Sequence, residues 1–147
     1  MKKNTVNRTE LYFSAKSENE GFARSAASLF VSQLDPTIEE ISDIRTVVSE
    51  AVTNAVVHGY RGCDPEKSEI YLELKLYDDR SVRIKVRDRG CGIEDIEKAR
   101  RPLFSTDTTG ERGGMGFSIM ESFTDRLKIV SSPGKGTLLT MVKKLKD

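Results

Sequence analysis

The sequence predicts an α/β fold, a two-layer sandwich whose mainly antiparallel mixed sheet carries helices on one face. Three observations carry that reading. Ile70, Leu72, Leu74 and Leu76 alternate with Tyr71, Glu73, Lys75 and Tyr77, and after the turn "DDR" Val82, Ile84 and Val86 alternate with Arg83, Lys85 and Arg87. That is a hairpin with one apolar and one charged face, as expected of a sheet covered on one side only. A second hairpin, "RLKIV" and "TLLTMVKKL" joined by "SSPGKG", lies near the C-terminus, and two helical patterns precede the first hairpin.

Each element has a local reason. Leu11, Phe13 and Ala15 alternate with polar neighbours, which predicts a first strand at about residues 8–16. Ser17 followed by Glu20 has the capping-box pattern, and Phe22, Ala26, Leu29 and Phe30 follow at helical spacing until "LDPT" breaks the run. Thr37 with Glu40 is a second capping box. From it Ile41, Ile44, Val48, Ala51 and Ala55 carry one apolar stripe on to Gly59, where a helix is expected to stop. Residues 61–68 read as a loop. Phe117, Met120 and Phe123 have helical spacing and predict a short helix after a glycine cluster.

The bulk properties exclude several classes. A chain of 147 residues suffices for one domain with a proper core, and residues 1–147 are read as one unit. Lys+Arg 24 against Asp+Glu 23 leaves a net charge of +1, so no electrostatic case exists for nucleic acid as the main partner. No apolar run is long enough to span a membrane or to serve as a signal peptide, so no membrane association is expected. The two cysteines, Cys63 and Cys91, lack metal-type spacing, and a reduced, cytoplasmic protein is the expectation.

The chemistry concentrates in a few places. Glu50, Asn54 and His58 fall at steps of four along a helix otherwise built of small apolar residues, which puts a carboxylate, an amide and an imidazole along one side. Asp88 continues the inward series Val82, Ile84, Val86. It therefore points a carboxylate between sheet and helices, although a turn-initiating Asp that caps local amides would occupy the same position. Three loops are rich in glycine: "DRGCGI", "GERGGMGF" and "SPGKGT". The second opens a helix, where unpaired amides suit phosphate, yet it is neither a Walker A loop nor a dinucleotide fingerprint. Residues 94–115 read as a lid, with a plain surface loop as the alternative.

Taken in order, Glu50-x-x-x-Asn54, Asp88-x-Gly90-x-Gly92, Gly114-x-Gly116 and Gly134-x-Gly136-Thr137 resemble the N, G1, G2 and G3 boxes of the Bergerat-fold ATPases and kinases, among them gyrase B and the histidine kinases. The stretches "SENEGFARSAASLFVSQLDPT", "VVSEAVTNAVVHGY", "ARRPLFST" and "GMGFSIMESFTD" narrow this. Over nearly the whole chain the sequence resembles the family of sporulation anti-sigma-F factors. The resemblance implies a homodimeric, ATP-binding serine kinase that holds a sporulation sigma factor inactive and phosphorylates an anti-anti-sigma protein on serine.

The same resemblance implies roles. Asn54 would be the Mg²⁺ ligand, an amide oxygen being a suitable hard donor for a largely hydrated ion. Glu50, one turn earlier, would be the general base toward the incoming serine hydroxyl, and Arg112 would neutralise γ-phosphate charge. Asp88 would accept from the adenine amino group, Gly90 and Gly92 would let the backbone pass close to the base, and Thr137 would help bind its edge. Gly114, Met115 and Gly116 would cradle phosphates. Glu20 and Arg24 on the first helix, and Glu111 in the lid, would contact the sigma factor and the anti-anti-sigma protein. His58 is read as structural or as a support to its neighbours rather than as a phosphoacceptor, and Cys91 as loop packing. Two other readings stay open: a module that uses ATP only to set partner affinity, and a kinase acting on the general stress sigma factor.

Overall fold

The computed structural model describes residues 2–101 and 116–147. Its sheet has five strands in the order β1-β2-β3-β5-β4, namely β1 (Thr5–Ser14), β2 (Glu69–Tyr77), β3 (Ser81–Asp88), β4 (Arg126–Ser131) and β5 (Thr137–Lys144). Every described pairing is antiparallel, so the sheet is not mixed as the sequence led us to expect. The first strand is displaced, beginning at Thr5 and ending at Ser14. Pairing with β2 through a register irregularity between Thr5 and Asn7 extends it past its apolar alternation.

Helices α1 (Glu18–Val31), α2 (Ile38–Asn54) and α4 (Gly116–Ser122) pack on the inward face, and a short α3 (Ile96–Arg100) lies beyond β3. The alternating set Ile70, Leu72, Leu74 and Leu76 meets Val82, Ile84 and Val86 across the first hairpin. All are buried against Ala23, Ala27 and Val31 of α1, Ile44, Val48 and Ala51 of α2, and Met120 of α4. The opposite face is polar, but Glu73 on it is only 4% exposed. Burial alone would raise its pKa; Arg83 at 2.7 Å and Arg8 at 2.8 Å more than offset this and hold the carboxyl below the ordinary range. Among the described residues no helix is long and apolar enough to cross a membrane.

The two capping boxes fare differently. At Thr37 both bonds form: Glu40 N–H donates to Thr37 Oγ1 at 3.1 Å, and Thr37 N–H donates to Glu40 Oε1 at 2.9 Å. Glu40 Oε2 also accepts from Lys146 N–H at 2.7 Å, tying the chain's end to the start of α2. At Ser17 the box is absent. Its backbone is already helical and its side chain makes no capping bond, while Glu20 is engaged by Arg24 and Ser49 instead. Thr37→Ala is therefore expected to cost about 1 kcal/mol in urea unfolding, and Ser17→Ala close to nothing.

The long helix does not run regularly to Gly59. Residues Ala55–Gly59 form a π turn, with Tyr60 N–H donating to Ala55 O at 2.9 Å. Such wide turns recur at functional sites. Here the turn presses Gly59 against the end of β3, next to Asp88.

Candidate active site

Helix α2 and the loops after β3 and β4 enclose a cavity of about 1010 Å³, with Glu50, Asn54, His58, Gly92, Gly116 and Thr137 in its lining. Its size is that of a site for an extended small molecule. Glu50 and Asn54 stand one turn apart on α2, held in place by Ala51, Val52 and Ala55, which are buried in the core on the other side of the helix. A helix anchored in this way fixes side-chain positions more firmly than a loop. A Cβ on Gly116 would stand 3.5 Å from Glu50 Oε2, so the carboxylate lies against the first residue of α4.

Asp88 is buried at the end of β3, 4% exposed, and continues the inward alternation as expected. Its Oδ1 accepts from Gly90 N–H at 2.9 Å. Burial pushes the carboxyl's pKa up, and the backbone N–H groups of Gly90 and Thr137 pull it only partly back. The carboxyl lies just behind the cavity wall formed by Gly59 and Thr137. A Cβ on Gly59 would fall 2.8 Å from the Asp88 carboxyl, so only glycine leaves the carboxylate room.

Gly90, Gly92 and Gly136 are required by neighbouring backbone. At Gly90 a Cβ would stand 1.7 Å from Gly59 O, and at Gly92 it would stand 2.0 Å from Ser132 O. Three bonds knit the same three segments together: Cys91 N–H to Gly59 O at 2.7 Å, Gly134 N–H to Cys91 O at 2.7 Å, and Ile93 N–H to Ser131 Oγ at 2.8 Å. Ser131 Oγ also bonds Thr137 Oγ1 at 2.8 Å, orienting the threonine beside Asp88. Since backbone rather than a flexible side chain is in the way, Gly90→Ala is expected to cost about 3 kcal/mol in urea unfolding.

Of the residues singled out from sequence, Glu50, Asn54, Gly92, Gly116 and Thr137 therefore line one cavity, and Asp88 and Gly90 sit directly behind its wall. Glu111, Arg112, Gly114 and Met115, and most of the lid at 94–115, lie outside the described residues. Within the lid the described part includes α3, capped by Asp95 Oδ1 accepting from Lys98 N–H at 3.0 Å. His58 lines the cavity, with Arg61 Nη2 3.3 Å from its Nδ1, and its carbonyl accepts from Cys91 Sγ.

Glu20 and Arg24 are on α1, apart from the cavity lining. Arg24 Nη1 donates to both Glu20 oxygens at 3.0 and 3.1 Å. Sequence reasoning missed Gly59 and Tyr60. Gly59 was read as a helix stop, although an inward-facing Asp88 needs an opposing residue without a side chain. The Tyr60 hydroxyl donates to Glu69 O at 2.5 Å and accepts from Arg89 N–H at 2.7 Å, fixing the strand end that carries Asp88.

The donor set suits a nucleotide with Mg²⁺. It offers a buried carboxylate beside the cavity wall for a base, and on α2 the Asn54 amide oxygen as a hard donor for a hydrated cation.

Known proteins resemble this chain over most of its length. The family described as histidine kinase-like ATPase domain matches residues 13–143. The anti-sigma F factor of Pasteuria penetrans is 53% identical over 139 residues, covering 95% of this chain and 91% of that protein. The anti-sigma F factor of Clostridium perfringens strain SM101 is 52% identical, covering 95% and 97%. Among solved structures, the RsbU and RsbW domains of Rv1364c from Mycobacterium tuberculosis superpose with a TM-score of 0.67 at 21% identity, covering 95% of this chain and 33% of that one. The histidine kinase domain from Erythrobacter litoralis EL346 gives a TM-score of 0.56 at 20% identity, covering 90% and 62%. These two show the fold alone. With a kinase-like ATPase domain across most of its length and relatives at half identity over nearly all of it, the chain belongs to the anti-sigma F factor family.

Proposed function

We propose that this protein binds and inhibits a sporulation sigma factor of the sigma-F type and, using ATP and Mg²⁺, phosphorylates its anti-anti-sigma partner on serine. The observation that carries the catalytic part is the placement of Glu50 and Asn54 one turn apart on the wall of one cavity, with Glu50 against Gly116. A protein that only bound nucleotide would have no use for a carboxylate there.

In this reading Asp88 accepts from the adenine amino group, supported by Thr137 and by the loops that Gly90 and Gly92 allow to approach. Asn54 would hold Mg²⁺, which would supply charge neutralisation at the phosphates. Gly114, Met115 and Gly116 offer backbone to the phosphates, and Arg112 adds positive charge. Glu50 takes the proton from the serine hydroxyl as its oxygen bonds to the γ-phosphorus and the bond to the bridging β,γ-oxygen breaks, releasing ADP. Positioning and charge stabilisation supply the remainder of the catalysis.

Glu20, Arg24 and Glu111 form the partner surface. The chain acts as one domain, residues 1–147, with an ATP lid at 94–115, as a homodimer in the cytoplasm. Anti-sigma activity is tested by adding the purified protein with ATP to a transcription reaction driven by the sigma-F type factor. Transcription is expected to fall, and to recover when unphosphorylated anti-anti-sigma protein is supplied; transcription unaffected by the protein would sink the reading.

A further inference from the structure

A polar seam joins α1 to α2. Glu20, Arg24 and Ser28 recur every fourth residue on α1, and Arg45 and Ser49 do so on α2, so each set forms one stripe. Arg45 Nη1 donates to Ser28 Oγ at 3.3 Å, and one turn along Ser49 Oγ donates to Glu20 Oε1. The next position on the α2 stripe is Thr53, which lines the cavity. Ser49 also immediately precedes Glu50, and successive residues of a helix point about 100° apart, so one faces α1 while the other faces the cavity.

We propose that Ser49 is a positioning residue for partner recognition: its hydroxyl fixes the Glu20 carboxylate, which in turn fixes the Arg24 guanidinium on the surface of α1. This rests on the docking role given above to Glu20 and Arg24. Glu20 has two oxygens and receives three bonds, two from Arg24 Nη1 and one from Ser49. Its side chain is 21% exposed, whereas that of Arg24 is 41% exposed. An exposed i,i+4 ion pair by itself is weak and mobile. Anchoring its acid to a hydroxyl on a second, core-packed helix removes that freedom. Nη1 is committed to Glu20, and among the described residues no acceptor meets the buried Arg24 Nε. The guanidinium is thus held through Nη1, while part of the side chain stays open to a partner. The same tie links the docking helix to the turn of α2 that carries Glu50.

The test is steady-state phosphotransfer by the full chain to a purified anti-anti-sigma protein. Ser49→Ala is expected to raise the KM for that protein about tenfold, with kcat and ATP affinity within about twofold of wild type, the loss expected for one hydrogen bond to a charged group. Ser49→Thr keeps the hydroxyl and is expected to restore the KM. Ser28→Ala removes the neighbouring rung without touching Glu20 and is expected to leave the KM alone. An unchanged KM in Ser49→Ala would overturn the proposal. So would a fall in kcat alone, which would place the effect at Glu50, or a loss of folded protein in urea titration, which would make the hydroxyl structural. If wild type transfers no phosphate, the kinase reading fails separately. The tie is then read from calorimetric binding of the sigma-F type factor to the ATP-loaded protein, where Ser49→Ala is expected to bind about tenfold more weakly and equal binding contradicts it.

Discussion

Asp88→Asn is expected to weaken ATP binding about a hundredfold, while the midpoint of urea unfolding stays where it is or rises. The two effects have one cause. Asp88 is enclosed by Gly59 and by the end of β5, and burial raises its pKa. A carboxyl whose folded pKa is raised favours folding most at low pH. Above the ordinary carboxylate pKa, where it ionises in the unfolded chain, that contribution is lost. At neutral pH the charge therefore works against stability, and asparagine removes it. Binding responds in the opposite direction. Asparagine would keep its oxygen on Gly90 N–H, where Asp88 Oδ1 now accepts at 2.9 Å, and turn its NH₂ toward the cavity. A donor would then face the adenine amino donor. Isothermal titration with ATP beside a urea titration measures both; full affinity in the variant would rule out the adenine contact.

Glu50→Gln is expected to lower kcat for phosphotransfer about a thousandfold, with ATP affinity within about threefold of wild type. Glutamine fills the same space against Gly116 and retains an oxygen, so packing and cavity shape are preserved. The substitution removes the carboxylate charge and with it the capacity to take a proton. Rapid-mix assays at saturating ATP and partner protein separate this from binding; a variant that transfers at the wild-type rate removes Glu50 from the role of base.

Much of the site was legible because strand alternation fixes direction. Asp88 follows Val82, Ile84 and Val86 by twos, and the structure buries all four. The helical step of four likewise put Glu50, Asn54 and His58 on one side, and all three line the cavity. What escaped was long-range geometry. Nothing local indicates that Gly90 and Gly92 are also demanded by Gly59 O and Ser132 O, partners far away in sequence. The π turn at Ala55–Gly59 has no local signature, since its register is set by docking Gly59 on Asp88. Ser17 looked as good a cap as Thr37. The pattern cannot reveal that Glu20 has a better use, because Ser49 lies twenty-nine residues further along the chain. Strand neighbours outside the hairpins have no local signature either: β3 pairs with β5 in antiparallel register, which brings Asp88 opposite Thr137.

The most direct test of the account is to incubate the protein with γ-labelled ATP, Mg²⁺ and a purified anti-anti-sigma protein, then map the label by peptide mass spectrometry. Phosphate is expected on one serine of the partner, formed in step with ADP, and none on His58 of the chain itself. Phosphate retained on His58, or a partner left unlabelled while sigma-factor binding is intact, would contradict it.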